Sequence, residues 1–383
     1  MIVVVLVLAA PSAKTQEKQV LVRAKNLSGS DRSGEIVTVP WKDIRARVFS
    51  FDPTRLSVRE GTSKSALVAQ VVRRAGEDAP DYLVFRADFK AGEAKEFHVV
   101  QSSEKHEFKS LTDARFVPPR EDLAWENDRI AFRMYGPPQA KEGYNNGIDV
   151  WNKRVRSLIF EHWYEGEGRK PTILYHEDQG EGGNYFTVGN SLGAGACALV
   201  KGDSLYQPGV FQKYKIIATG PLQAIFELTY NPVLYEGTMI TEVMRITLSA
   251  GVNLNKIDVT FSGGSGKVTA LFAAGIVKRM GTTTSFDRQN GFVSLWGLTT
   301  DKEEVGYLGT GIVMPATTIQ EMKEDTVHAM IIGKVELGKS STYYAGAGWT
   351  LSTDFSSGAD WNKYLSEFAQ KIQSPLSVSV SAK

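Results

Sequence analysis

The sequence is poor in cysteine: Cys197 stands alone among 383 residues. One thiol excludes an intramolecular disulfide and a cysteine-based zinc site, and it says nothing about redox compartment. Neither charge sign is in excess, with 44 Lys and Arg against 43 Asp and Glu. A nucleic-acid partner therefore has no electrostatic basis. No run reaches the roughly 20 apolar residues that a membrane span requires. Histidine is scarce, at five. Familiar catalytic signatures are missing as well. There is no H-E-x-x-H. GNSLGAG (189–195) orders its glycines wrongly for a dinucleotide fingerprint. In GGSGKV, Phe261 falls where a phosphate loop needs its first glycine, and Val268 replaces the hydroxyl residue.

What the chain does have is strands. QVLVRAKNL, GEIVTVPW, ARVFSFD, YLVFRADF and AKEFHVVQS come first, divided by Gly, Asp, Ser and Pro. DRIAFRMYG, GIDVWNKR, PTILYHED, QAIFELTY, TEVMRITLSA, NKIDVTFSG, VTALFAAGIV, HAMIIGKVE and YYAGAGWTL continue the pattern. This argues for an all-β architecture. One amphipathic helix is expected at 359–373, where Trp361, Tyr364, Leu365, Phe368 and Ile372 recur at helical spacing, with Asp360 as cap. Residues 2–10, IVVVLVLAA, fit the apolar core of a secretory signal, so 1–18 are expected to be a signal peptide and the protein to be secreted or periplasmic. The charged stretch 103–122 contains Pro118 and Pro119 and divides a strand-rich part, 19–115, from a main body, 116–383.

The chemistry gathers in YHEDQGEGGNYFTVGNSLGAGA, residues 175–196. A long glycine-rich loop at a strand end suits a binding site. His176 is a candidate acid or base near neutral pH. Glu177 is its candidate partner, with Tyr185 a candidate acid and Asp178, Glu181 and Asn184 candidate substrate contacts. Asp178 and Glu181 also make a weak candidate calcium site; no other cofactor or metal is expected. Read as a strand, DRIAFRMYG puts Arg129, Arg133 and Tyr135 on one face, a surface suited to a sugar carboxylate. Trp151 and Lys153 share a face of the next strand, with the indole a candidate stacking platform. His162, between aromatics, is a second candidate histidine. Each reading has a plain alternative: a solvated sheet face for Arg133, a core position for Trp151, a structural ring for the histidines.

WENDRIAFRMYGP, NNGIDVWNKR, YHEDQGEG with YFTVGNSLGAGA, ITLSAGVNLNKI and the C-terminal YYAGAGWTLSTDF with DWNKYLSEFAQKIQSPL resemble the bacterial family catalogued as domain of unknown function 4861. The resemblance runs from about residue 20 to the C-terminus. That family is similar to the galactose-mutarotase-like group, so the resemblance implies a large antiparallel β-supersandwich and carbohydrate-active surroundings. It carries over no catalytic residues. The expected function is β-elimination, as a lyase or dehydratase, on uronic-acid-containing oligosaccharides. Arg133 would neutralise the carboxylate with Arg129 in reserve, His176 would be the base, and Tyr135 or Tyr185 the acid. A mutarotase or epimerase pairing His176 with Glu177 or Glu181, a glycoside hydrolase, or a non-catalytic binder stacking sugars on Trp151, Trp163 and Tyr185 are the alternatives.

Overall fold

The strand Thr238–Ser249 shows how the alternation builds the core: Ile240, Met244, Ile246 and Leu248 face inward while their neighbours stay half exposed. It belongs to a nine-stranded antiparallel sheet. That sheet runs from Lys213–Ala218 through Gln223–Thr229, Thr238–Ser249, Leu254–Ser262, Ser340–Trp349, Tyr307–Val313 and Phe292–Leu298 to Thr283–Asp287, with Val233–Tyr235 paired to Thr238–Ser249 as the ninth strand. Two five-stranded sheets complete the sandwich. One is built on Ala194–Lys201, Thr269–Val277 and His328–Glu336; the other runs Gly182–Gly183, Asp149–Lys153, Ala131–Met134, Asp122–Asn127, Thr112–Val117. A single apolar core joins all three, with Phe132, Val150, Phe226, Ile257, Phe272 and Ile331 among its members. The fold, seen in this computed structural model, is described for residues 19–48, 50–77, 79–118, 120–165, 175–265 and 267–382. The expected signal segment lies outside them. Among the described residues, no helix is long and apolar enough to cross a membrane.

A second, smaller sandwich packs a four-stranded sheet on a three-stranded one around Val22, Val39, Phe85 and Phe97. The last strand, Ser377–Ala382, returns to pair with the first, Gln19–Lys25, placing Val380 opposite Val22. The helix spans Gly358–Gln373 and lays Trp361, Leu365 and Ala369 against the large sheet. Its cap is Ser357 rather than Asp360: the Ser357 hydroxyl accepts the Asp360 N–H at 3.2 Å and donates back to the Asp360 carboxylate at 3.0 Å. ARVFSFD forms no strand among its described residues. A short helix, Trp41–Arg45, inserts Trp41 and Ile44 into the small core and the chain turns after it. The end of the expected strand PTILYHED, residues 175–178, forms a turn instead.

One buried acid stands out. Glu242 occupies an inward position of Thr238–Ser249, and its only side-chain partner among the described residues is the Cys197 thiol, 3.7 Å from Oε1. Burial pushes its carboxyl up to about 8 from 4.5. Below pH 4.5 the acid is neutral in both folded and unfolded chains. Between that pH and about 8, unfolding releases a proton that the folded state holds, so stability falls as pH rises. Glu242→Gln is expected to stabilise the protein by about 3 kcal/mol at pH 7 and by little near pH 4. Melting curves of both proteins across that range check it; a gain that does not grow with pH contradicts it.

Candidate active site

The loop after Tyr175 folds back on the strand Asp149–Lys153, pairing Gly183 with Asn152. A Cβ on Gly183 would meet the Tyr185 ring and hydroxyl at 2.7 Å, so only glycine lets that phenol lie across its own loop. Asn184, between them, is buried and holds three partners. Its N–H donates to the Tyr175 carbonyl at 2.7 Å, and its side-chain amide donates to Asp149 Oδ2 at 2.7 Å. Its carbonyl receives His176 Nδ1 at 3.0 Å. A carbonyl can only accept, so His176 Nδ1 donates; in the neutral ring the lone pair is then on Nε2, which has no hydrogen-bond partner among the described residues.

His176 lines one lobe of a groove, a cavity of about 510 Å³. Glu177, Asp178 and Tyr185 lie on the same wall, and Thr300, Asp301, Lys302 and Glu304 face them from the loop after Phe292–Leu298. Trp349 and Arg154 form the floor, with the guanidinium 5.6 Å above the indole. Asp178 ion-pairs with Arg154 Nε and accepts the Gly180 and Gly182 N–H groups at 2.8 and 3.0 Å. Lys302 is exposed and has no ion pair among the described residues. Burial, then the nearby Asp178 charge, pushes the Tyr185 phenol up, so it carries its proton at neutral pH. Tyr185, Thr300 and Asp301 also border a second, larger lobe of about 1090 Å³. The two lobes, sharing these three residues, form one groove.

The family model for domain of unknown function DUF4861 matches residues 24–378. The chain belongs to the DUF4861 family. A relative, Uncharacterized protein P7 of Formosa agariphila, is 30% identical over 391 residues, covering 96% of this chain and 95% of that one. Among solved structures, the fold is similar to a glycosyl hydrolase family 38 protein of Enterococcus faecalis, with a TM-score of 0.51 and 12% identity. It is likewise similar to an α-mannosidase of Enterococcus faecalis V583, with a TM-score of 0.54 and 12% identity. Each match covers 96% of this chain but 48% and 46% of those structures, so the chain spans about half their length. At that identity the likeness shows the fold, an antiparallel supersandwich as the galactose-mutarotase-like resemblance implied.

In this DUF4861 chain the groove collects His176, Glu177, Asp178 and Tyr185 and leaves the other expected residues elsewhere. Arg133 is 4% exposed and does not open into it. It donates to Asp149 at 2.7 Å and pairs with Asp122 at 3.4 Å. Its guanidinium lies 5.0 Å from Trp151, 5.3 Å from Tyr135 and 5.7 Å from Tyr175. Burial opposes its charge, and Asp149 leads the neighbours that hold its pKa above the ordinary range. Tyr135 is buried with it, stacked 4.1 Å from Tyr144. Trp151 is fully buried among Phe160, Trp163, Tyr164 and Tyr175. The helix Phe160–Glu165 covers this face, and alternation along a strand cannot show what covers it. Lys153 is buried on Glu126 at 2.7 Å and the Asn127 carbonyl at 2.6 Å; burial draws the amine down and the acid up. Arg129 pairs with Asp354, away from the groove.

Glu181 accepts His162 Nε2 at 2.5 Å and the Trp163 indole at 2.9 Å. Burial raises its pKa, but these donors outweigh it and hold the carboxyl below its usual range. His162 and Glu181 line neither lobe. Asp178 turns to Arg154 and the loop N–H groups, and Glu181 to His162 and Trp163; among the described residues no group of three or more His, Cys, Asp or Glu could hold a metal ion.

Asn184 and Arg133 still reach the imidazole through the protein. Arg133 Nε and the Asn184 side-chain amide both donate to Asp149 Oδ2 at 2.7 Å, and the main-chain carbonyl of the same Asn184 accepts His176 Nδ1 at 3.0 Å. Both are positioning residues. The sequence reading missed Arg154, Lys302, Trp349 and the large lobe. Only Arg154 had a signal there, since alternation in VWNKR puts it on the face opposite Trp151 and Lys153. Lys302 and Trp349 arrive from a loop and a strand end more than 100 residues downstream, which only the folded topology brings to His176.

Proposed function

We propose that the small lobe takes a uronic-acid unit of an oligosaccharide and that the protein is a lyase or dehydratase acting by β-elimination. The observation that carries this is the pairing in one lobe of a free imidazole lone pair on His176 with a protonated phenol on Tyr185. Arg154 and Lys302 supply the positive charge that makes an enolate tolerable. Trp349 and Tyr185 supply flat faces for sugar rings. In the step itself, His176 Nε2 removes the proton on the carbon next to the carboxylate. The electron pair forms the new C=C bond as the C–O bond to the neighbouring substituent breaks, and Tyr185 gives its proton to the leaving oxygen. The leaving group is a sugar in a lyase and water in a dehydratase. That solved structures sharing the fold include an α-mannosidase supports a sugar substrate. An apolar segment at 2–10 supports a secreted or periplasmic setting for polysaccharide breakdown.

A second reading rests on the acids: Glu177, Asp178, Asp301 and Glu304 all line the small lobe, enough for acid–base hydrolysis or epimerisation. One experiment separates the two. Purified protein is mixed with uronate oligosaccharides while near-ultraviolet absorbance and new reducing ends are followed together. Elimination raises the absorbance. New reducing ends with a flat trace would support hydrolysis instead, and binding with neither change would support a non-catalytic carbohydrate-binding role.

A further inference from the structure

The larger lobe contains a guanidinium, Arg279, that lies 5.7 Å from the Phe186 ring and has no carboxylate partner among the described residues. Arg279, in the turn after Thr269–Val277, spends Nη2 on the Leu308 carbonyl at 2.7 Å. Its Nε and Nη1 are buried with no hydrogen-bond partner. No carboxylate of the described residues pairs with it, and burial alone lowers its pKa to about 10. The Thr299 hydroxyl, on the same lobe, is also buried and unpartnered. A third residue of the lobe, His328, accepts the Leu192 N–H on Nε2 at 3.1 Å. Its proton is therefore on Nδ1, 3.5 Å from Asp325 and without a formed hydrogen bond. A guanidinium, a hydroxyl and an imidazole N–H thus line one cavity, all able to donate. Elsewhere this fold neutralises its buried cations, Arg133 with two aspartates and Lys153 with Glu126. Leaving a half-buried guanidinium with two buried nitrogens and no counter-charge is unfavourable unless something anionic completes it.

We propose that the larger lobe is a second subsite that receives an oxyanion, carboxylate or sulfate ester, on the sugar unit adjoining the one at His176, with Arg279 as its counter-charge. This rests on reading the groove as an oligosaccharide site and narrows the substrate to one carrying acid on neighbouring units. The planar fork of arginine suits either group by paired hydrogen bonds. Tyr185, Thr300 and Asp301, common to both lobes, form the waist between the two units. Arg279→Met removes the charge while retaining the apolar stem.

The test titrates the full chain with sodium sulfate, sodium acetate or sodium chloride at equal ionic strength and reads melting temperature. Sulfate or acetate is expected to raise the wild-type melting temperature beyond chloride, and the stronger of the two identifies the oxyanion preferred. The apparent affinity is expected to weaken at least about 10-fold in Arg279→Met, as loss of a charge-assisted hydrogen bond requires. Arg279→Met in chloride is expected to melt no lower than wild type. Should that variant not fold, Arg279→Lys replaces it, keeping the charge but losing the fork, and a weakened response is expected. A response equal in wild type and variant overturns the proposal, as does no response in either. Neither sugar nor turnover enters the titration. A missing oxyanion effect beside active elimination therefore removes this subsite alone, and a clear effect beside a flat elimination trace removes the elimination reading alone.

Discussion

Arg133→Ala lowers folding stability by about 3–5 kcal/mol, the usual result of removing one partner from a buried ion pair. The reason lies in what remains. Asp122 and Asp149 are both fully buried, and the guanidinium is their shared cation. Asp149 keeps the Asn184 amide at 2.7 Å, the Val150 N–H at 2.8 Å and the Trp151 indole at 3.3 Å. Asp122 keeps Arg120 at 3.2 Å, which is partly exposed. These are hydrogen bonds and a screened ion pair, and they do not replace a buried guanidinium held between three aromatic rings. Urea denaturation of the two proteins measures the loss. A change below about 0.5 kcal/mol, the range of ordinary surface substitutions, with weakened substrate binding, would instead make Arg133 a substrate contact.

His176→Ala produces the opposite pattern. The side chain is exposed, and among the described residues its hydrogen bond runs to the Asn184 carbonyl, so melting temperature changes little. The elimination rate falls about 10²–10⁴-fold, the contribution typical of a positioned general base. Loss of a transition-state contact lowers kcat while leaving KM nearly unchanged. Asn184 links the two experiments, since its amide rests on Asp149 and its carbonyl fixes the imidazole tautomer. Any Arg133 variant that still folds should therefore lose rate through a disturbed His176 rather than through a lost substrate contact.

The two histidine-loop outcomes show what could be read in the sequence. Glycine density marked the stretch from Gly180 as loop, because glycine usage is local chemistry; within it only the two-residue Gly182–Gly183 pairs as strand before Ala194–Lys201 begins. Alternation placed Arg133 and Tyr135 on one face, and they do share it. What it could not show was the aromatic lid formed by Trp151, Tyr164 and Tyr175, contributed by other segments. The same limit hid the pairing of Ser377–Ala382 with Gln19–Lys25, some 350 positions apart. It hid Trp349 and Lys302 beside His176 too. Arg279 carries no sequence signal at all, since its distinguishing property is the absence of a carboxylate nearby in space.

The most direct measurement follows the substrate proton next to the carboxylate by NMR in D₂O. With wild-type protein that signal is expected to disappear as the double bond forms. Tyr185→Phe is expected to exchange the proton for deuterium while forming the double bond far more slowly, since the base remains and the acid is gone. His176→Ala is expected to do neither. A double bond forming at the wild-type rate in His176→Ala, or a product that still carries the proton, would contradict the assignment of the imidazole as base.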